Sequence, residues 1–415
     1  MAKENIIVGL DVGTCFIRVV VVKATTDGKK PRIIGVGQAP SFGLRRGVVV
    51  DIDEAVNNIS QAVQEAERNS GVSIERVTVG IGGNHISTKS SKGVVAVSRA
   101  DNEVSREDME RVITAASTIS LPQNREIFHV LPRTFAIDDN NSIENPIGMN
   151  GSRLEVDALI IEGAAPYIRN LMKCVSEVGL GVEELVLAPL ASSRAALNKR
   201  QKELGVLCLD FGGGTVGMTV FEESKVVYSH VLPVGSLHIT NDLAIGLRSS
   251  IDLAEKVKLE YGSALISDVG KKDVIDLSKL GFEEKGIVPR TEVSKIIHAR
   301  LSETFEMIGK ELKKIDRHGL LPAGVVMVGG GAKMPSLVDL AKEELDLPAQ
   351  IGFPLELDGI TEETDDPSFA TAIGLVLWNF DGRNKGQGGR GISLPSISVG
   401  SAVGKIKLWF KGFLP

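Results

Sequence analysis

Two short segments of the chain are near copies of one another: Leu10-Asp11-Val12-Gly13-Thr14 and Leu209-Asp210-Phe211-Gly212-Gly213-Gly214-Thr215. Each follows an apolar run, Ile6-Ile7-Val8 or Val206-Leu207-Cys208, and leads into a second, Ile17 to Val22 or Val216 to Phe221. Apolar run, glycine turn and β-rich run make a hairpin. Glycine is needed because positive φ and close backbone approach are inexpensive only without a Cβ. One such turn is ordinary, but a duplicated one constrains the whole chain. It asks for two halves of the same construction with their hairpins opposed across a cleft. The 415 residues are two to three times a typical domain and leave room for a bilobed body.

Successive backbone N–H groups in a tight turn form an anion nest, and a threonine hydroxyl adds a donor. Two opposed nests clamp a polyphosphate from both sides. Asp11 and Asp210 can hold a hydrated magnesium ion between them, because this hard cation takes carboxylate oxygens and retains several waters. A third cluster, Val325 to Val328 followed by Gly329-Gly330-Gly331-Ala332-Lys333, reads as a buried strand entering a glycine turn and then a helix. Its glycines let the backbone approach a base or ribose, and the helix N-terminus favours a phosphate. Glu255 and Lys258 share a helix face, placed either to hydrogen-bond a ribose or adenine or to form a solvated ion pair. Asp366-Pro367-Ser368-Phe369-Ala370 opens a small-residue helix through Gly374, suited to close packing across a hinge, with Asp366 as its cap.

The net charge of -6 argues against a surface built to blanket nucleic acid. Cys15, Cys174 and Cys208 fit neither a disulfide framework nor paired zinc spacing. The six histidines, His85, His129 and His238 among them, are scattered without metal-ligand spacing. The N-terminal segment passes into a strand-like run with no signal-peptide pattern, so no export is expected. No run approaches the roughly 20 apolar residues of a membrane span. After Phe380 the composition turns to glycine, serine and proline, a flexible tether over 381–402. Beyond it, wound as a helix, Val403, Ile406, Trp409, Phe410, Phe413 and Leu414 share one face, with Lys405, Lys407 and Lys411 at its edges or opposite. That pattern suits an anionic membrane surface; docking on the protein's own core is the alternative.

The paired hairpins, the late strand with Gly-Gly-Gly and the small-residue closing helix resemble the actin-like ATPase superfamily. Within it the chain resembles the FtsA family of bacterial cell-division proteins. The marks are Gly13-Thr14, Gly151-Ser152-Arg153-Leu154-Glu155-Val156, Val234-Gly235-Ser236-Leu237-His238 through Ala244, Asp366 to Ala370, and the amphipathic C-terminus. The resemblance implies an α/β, actin-like bilobed fold of two duplicated RNase H-like halves around a nucleotide cleft. It divides the chain into a first-half core (1–83 and 163–202, closed by 366–380) and an inserted α+β subdomain (84–162). A second-half core (203–245 and 318–365), a small second-half subdomain (246–317), the linker (381–402) and an amphipathic helix (403–415) complete it.

The same resemblance implies ATP with magnesium, the metal on Asp11 and Asp210. The nucleotide contacts would be Asp11, Gly13, Thr14, Cys15, Asp210, Gly212, Gly213, Gly214, Thr215, Gly235, Glu255, Lys258, Gly329, Gly330, Gly331 and Lys333. It implies self-association into filaments, contacts with later division proteins, and a place on the cytoplasmic face of the membrane at the division site. There Lys405, Ile406, Trp409, Phe410, Lys411, Phe413 and Leu414 would meet lipid. The C-terminal peptide of the tubulin-like FtsZ would dock on 246–317, with Arg290, Lys295 and Arg300 as contacts. One departure bears on mechanism. Where hydrolytic relatives carry Glu-Pro, this chain has Ala188-Pro189, and a water-orienting group is worth about 10² to 10⁴ in rate. At most a slow ATPase is expected. The rival readings are a PilM-like type IV pilus adaptor, which shares fold and insertion, and an actin-fold small-molecule kinase, which requires a carboxylate base by the γ-phosphate.

Overall fold

The computed structural model describes residues 5–24, 30–99, 101–281, 286–359, 361–362 and 364–384. The expected amphipathic helix, with Lys405 to Leu414, and the tether from residue 385 lie outside the described residues.

The two duplicated segments form the hairpins. Asn5–Val12 pairs antiparallel with Phe16–Ala24, and Val206–Phe211 with Val216–Glu222. Each hairpin gains a third antiparallel strand, Arg32–Pro40 or Lys225–Leu232. Two parallel strands follow on the other side: Arg76–Ile81 and Gly181–Leu187 in the first half, Val325–Val328 and Ala349–Ile351 in the second. The two five-stranded sheets therefore have the same strand order. Val19 to Val22 are all buried, as an unbroken apolar run must be when both sheet faces are covered.

Parallel neighbours need long crossovers. In the first half helix Ile52–Ser70 makes one, started by the Asp51 side chain accepting from Glu54 N–H and ended by left-handed Gly71. In the second half the crossover carries helices Ser236–Leu247, Ile251–Tyr261 and Arg290–Lys314, packed on one another. Helix Ser236–Leu247 crosses the 245/246 boundary drawn from sequence, and its Ile239 and Leu243 lie in one core that the second-half sheet and these crossover helices share.

Between the two parallel strands of the first half stands a separate antiparallel sheet, in the order Ser87–Ala96, Arg153–Ala164, Arg125–Ile137, Asn140–Ile143. Helix Arg106–Ser117 covers it, opened by a reciprocal capping box between Ser105 and Asp108. Val112, Ile113, Leu154 and Ile160 lie in its own core. The strands run beyond the apolar stretches visible in sequence, since Ser87 to Lys92 is a largely polar edge. His129 fastens this sheet to the first half: its ring lies 5.5 Å from that of Trp378, and its Nε2 accepts Leu187 N–H at 3.1 Å.

Two helices join the halves. The hinge helix, Ala188–Ala196, packs against the closing helix, Ala370–Asn384. The closing helix runs four residues into the segment expected to be tether (381–402). Asp381 accepts from Arg194 at 2.7 Å and Arg383 pairs with Glu183 at 2.8 Å, so these charges hold a helical turn. Among the described residues no helix is long and apolar enough to cross a membrane.

Candidate functional site

The two hairpin turns close in the same way. Gly13 N–H donates to Phe16 O at 3.2 Å and Gly212 N–H to Thr215 O at 2.9 Å. These two N–H groups serve the turn rather than a ligand. The N–H groups of Thr14 and Cys15 in one turn, and of Gly213, Gly214 and Thr215 in the other, have no hydrogen-bond acceptor among the described residues. The turns meet tip to tip: a Cβ on Gly213 would stand 2.1 Å from Cys15 Sγ. The Thr14 hydroxyl accepts Gly47 N–H at 3.1 Å, fixing its orientation.

Between the hairpins and the strand Val325–Val328 lies a cavity of about 480 Å³, in the range of small-ligand sites. Asp11, Gly13, Thr14, Cys15, Asp210, Gly212, Gly213 and Thr215 line it, together with Glu255, Lys258, Gly329, Gly330, Gly331 and Lys333. Gly214 and Gly235 do not. Gly214 packs against Arg46 and the Thr14 hydroxyl. Gly235 lies behind the second turn, where the N–H groups of Ser236 and Leu237 bond Gly212 O and Gly213 O at 3.0 and 2.9 Å. The third glycine cluster leads first into a single 3-10 turn, Gly330–Lys333, and the helix proper begins only at Leu337. No helix N-terminus therefore follows the glycines directly.

Two carboxylates lie deep in this cavity. Burial pushes the Asp11 carboxyl up to about 7; Arg18 pulls it back and neighbouring Asp210 pushes it further up. Asp210 is also raised by burial, against hydrogen bonds from Thr371 and Ser192 and the charge of Arg18. Thr371 Oγ1 donates to Asp210 Oδ2 at 2.9 Å. Sequence reasoning passed over Arg18 and Thr371. Arg18 sits directly across the hairpin from Asp11. Its guanidinium lies 5.1 Å from the Phe16 ring centroid and 5.3 Å from that of Phe369, and it makes no ion pair among the described residues. A half-buried cation whose Nε is shielded from water and unpartnered favours an anionic ligand. Two raised carboxylates suit a hard divalent cation that brings most of its own water. Among the described residues no group of three or more His, Cys, Asp or Glu could enclose a metal.

On the far side Glu255 and Lys258 form an ion pair whose lysine end is buried and whose glutamate end is exposed. Lys258 is 5% exposed, and its Nζ bonds Glu255 at 2.7 Å and the Thr240 hydroxyl at 2.9 Å. Lys333 is taken by Asp366 at 2.6 Å, so it reaches the cavity with its charge partly answered. Met334, Pro335 and Leu259 supply the apolar lining. Ala188 lines the cavity too, with no carboxylate at that position.

The three basic residues singled out on the small subdomain all lie on helix Arg290–Lys314, and each is paired internally. Arg300 grips both carboxylate oxygens of Asp242, at 2.6 and 3.0 Å, and also meets Glu303. Lys295 pairs with Glu292 at 2.8 Å, and Arg290 with Asp273 and Tyr261 O.

Comparison with known proteins identifies the lineage. The chain is 34% identical to the cell division protein FtsA of Pseudomonas aeruginosa, with 98% of each chain covered. It is 36% identical to that of Bacillus subtilis, over 96% of this chain and 89% of the relative, and 30% identical to that of Escherichia coli, over 98% of each. The chain belongs to the FtsA family of cell division proteins. The family profile described as "Cell division protein FtsA" matches residues 207–374, and "SHS2 domain inserted in FTSA" matches residues 83–162, which contain the separate sheet. Solved structures agree on an actin-like fold. A PilM–PilN type IV pilus biogenesis complex gives a TM-score of 0.66 at 17% identity, covering 90% of this chain and 98% of that one. MreB5 of Spiroplasma citri bound to ADP gives 0.53 at 13% identity, covering 91% and 96%.

Proposed function

We propose that this FtsA-family chain binds ATP with magnesium in the cleft and uses the bound state to set its conformation and assembly, while tethering FtsZ filaments to the membrane. The observation that carries the nucleotide half is the convergence of two sets of unpartnered turn N–H groups, a half-buried and unpaired Arg18, and two raised carboxylates on one cavity. Anion donors above a carboxylate pair are the complement of a metal-bound polyphosphate. The backbone N–H groups of Thr14, Cys15, Gly213 and Thr215, with Arg18, would take the phosphates. Asp11 and Asp210 would hold the magnesium through its waters; Glu255 and Lys258 would face the ribose and Gly330 to Pro335 the base. Bound magnesium supplies charge neutralisation to the phosphates. Ala188 supplies no general base, which supports a slow ATPase at most.

The partner half rests on family membership and on the C-terminal pattern from Val403 to Leu414. A thirteen-residue amphipathic segment is a weak anchor, and many copies in a filament raise its effective concentration. These features support a peripheral location on the cytoplasmic membrane face at the division site, with later division proteins as further partners. The likeness to the PilM–PilN complex extends to fold alone, and the aromatic, lysine-flanked tail favours the division role. The test is co-pelleting of purified protein and FtsZ with anionic liposomes, with and without ATP, and with the chain ended at Asn384. FtsZ should pellet only with the intact chain; undiminished pelleting after truncation would overturn the tether.

A further inference from the structure

Asp210 belongs to the second half, yet the hydroxyl that holds its carboxylate comes from the closing helix, which packs on the first. Thr371 Oγ1, on the closing helix, donates to Oδ2 at 2.9 Å. Ser192 of the hinge helix lies beside the same carboxylate, but its Oγ donates to Pro189 O at 3.2 Å. Neither is a surface group: Thr371 is 5% exposed and Ser192 fully buried. The closing helix is itself fastened to the first half, packing on the strands Asn5–Val12 and Arg76–Ile81. Its Asn379 Nδ2 donates to Thr78 Oγ1 at 2.9 Å and to Glu183 at 2.8 Å. The hydroxyl that bonds Asp210 is therefore delivered from a fixed platform.

A carboxylate at the end of a strand turns freely about two side-chain bonds unless something outside the strand holds it. A cation bound through water depends on that orientation, because each water must find an acceptor in the right place. We propose that Thr371 is a positioning residue for the magnesium site: it holds one oxygen of Asp210 and makes that setting depend on how the two halves are placed. The inference rests on the nucleotide and magnesium reading above. Its consequence is directional. Loss of the Thr371 hydroxyl weakens the metal-dependent part of nucleotide binding and leaves the part carried by the turn N–H groups and Arg18.

The experiment titrates magnesium against the full chain with a fluorescent ATP analogue, for the parent protein, Thr371→Val and Thr371→Ser. Removing an outer partner of a metal ligand typically costs about 10- to 100-fold in metal affinity. Thr371→Val should therefore need at least about tenfold more magnesium for half-saturation, while its affinity in EDTA stays within about twofold of the parent. Thr371→Ser should recover the parent curve. Thermal unfolding without ligand checks that each variant is folded, and Thr371→Cys replaces valine if valine is not. A parental magnesium requirement in the valine or cysteine variant would overturn the proposal. So would an equal loss with and without magnesium, the mark of a merely structural role. A parent protein that binds no nucleotide under either condition would overturn the nucleotide reading, and this inference with it.

Discussion

A β-carbon on Gly374 would stand 1.8 Å from the carbonyl oxygen of Ala191, so the closing and hinge helices touch backbone to backbone. That contact sits between residues serving the cleft, Thr371 and Ser192, and the outer clamp of Arg194 on Asp381. Gly374→Ala must push the helices apart. Overpacking of this kind costs about 1–3 kcal/mol, against a gain of at most about 1 kcal/mol from better helix propensity. A lower thermal midpoint is expected, together with weaker nucleotide binding because the Thr371 hydroxyl that bonds Asp210 moves with its helix. An unchanged midpoint would show slack at the crossing.

Arg18 answers no carboxylate directly, so its charge is available to the cavity. Arg18→Met should lower affinity for a nucleoside triphosphate by at least about tenfold, since a charged hydrogen bond contributes about 1.5–3 kcal/mol. The pH dependence follows from Asp11. With its carboxyl at about 7, it is protonated below that pH and cannot serve a metal. Magnesium-dependent binding should strengthen as pH rises through about 7. Removing Arg18 takes away the group that lowers Asp11, so the rise should move to higher pH. Calorimetric titrations across that range check both; a flat pH profile would remove Asp11 from the metal's surroundings.

His129 predicts a stability effect of opposite origin. Burial holds its ring at about 3 rather than the ordinary 6.5, and its neutral Nε2 accepts Leu187 N–H inside the junction. Between those values the unfolded chain binds a proton that the folded chain does not, so stability falls as pH drops below about 6.5. At about pH 4.5 this one group removes about 2–3 kcal/mol relative to neutral pH. His129→Gln keeps an acceptor and loses the titration. Urea unfolding at the two pH values should show a smaller acid loss in the variant, whatever its stability at neutral pH. Equal losses would mean the imidazole is protonated in the fold.

The hairpins were legible because their signals are local: an apolar run, a glycine turn and another apolar run carry their own geometry. Helix Arg106–Ser117 carries a local signal of the same kind, Ser105 and Asp108 at capping-box spacing. Arg18 was legible in principle. Counting back from the turn places it opposite Asp11, and a lone cation in a buried valine run needs a reason. Thr371 gave no such signal, because its bond to Asp210 exists only once the closing helix has packed. Lys333 shows the same limit, since it lines the cavity as its place beside three glycines suggests, while its pairing with Asp366 comes from a distant part of the chain. Glycine content likewise identifies the cleft, whereas Gly214 and Gly235 show that it does not say which glycines face it.

The pairing of Arg300 with Asp242 changes how its proposed contact with the FtsZ peptide must be tested. Both groups are about a quarter exposed, and Arg300 holds the two oxygens of Asp242 while meeting Glu303. Arg300→Glu alone sets three carboxylates together and disturbs the packing of helix Ser236–Leu247 on helix Arg290–Lys314. Loss of peptide binding in that variant would not distinguish a lost contact from a displaced helix. Exchanging the charges, Arg300→Glu with Asp242→Arg, rebuilds the pair in reverse. The double variant should regain most of the thermal stability lost by the single one, a coupling of about 1 kcal/mol for a partly exposed bidentate pair. If Arg300 touches the peptide, affinity should stay reduced in the double variant, as read by fluorescence anisotropy of a labelled FtsZ C-terminal peptide. Recovery of affinity along with stability would assign Arg300 to the subdomain's own architecture and move the docking site elsewhere on its surface.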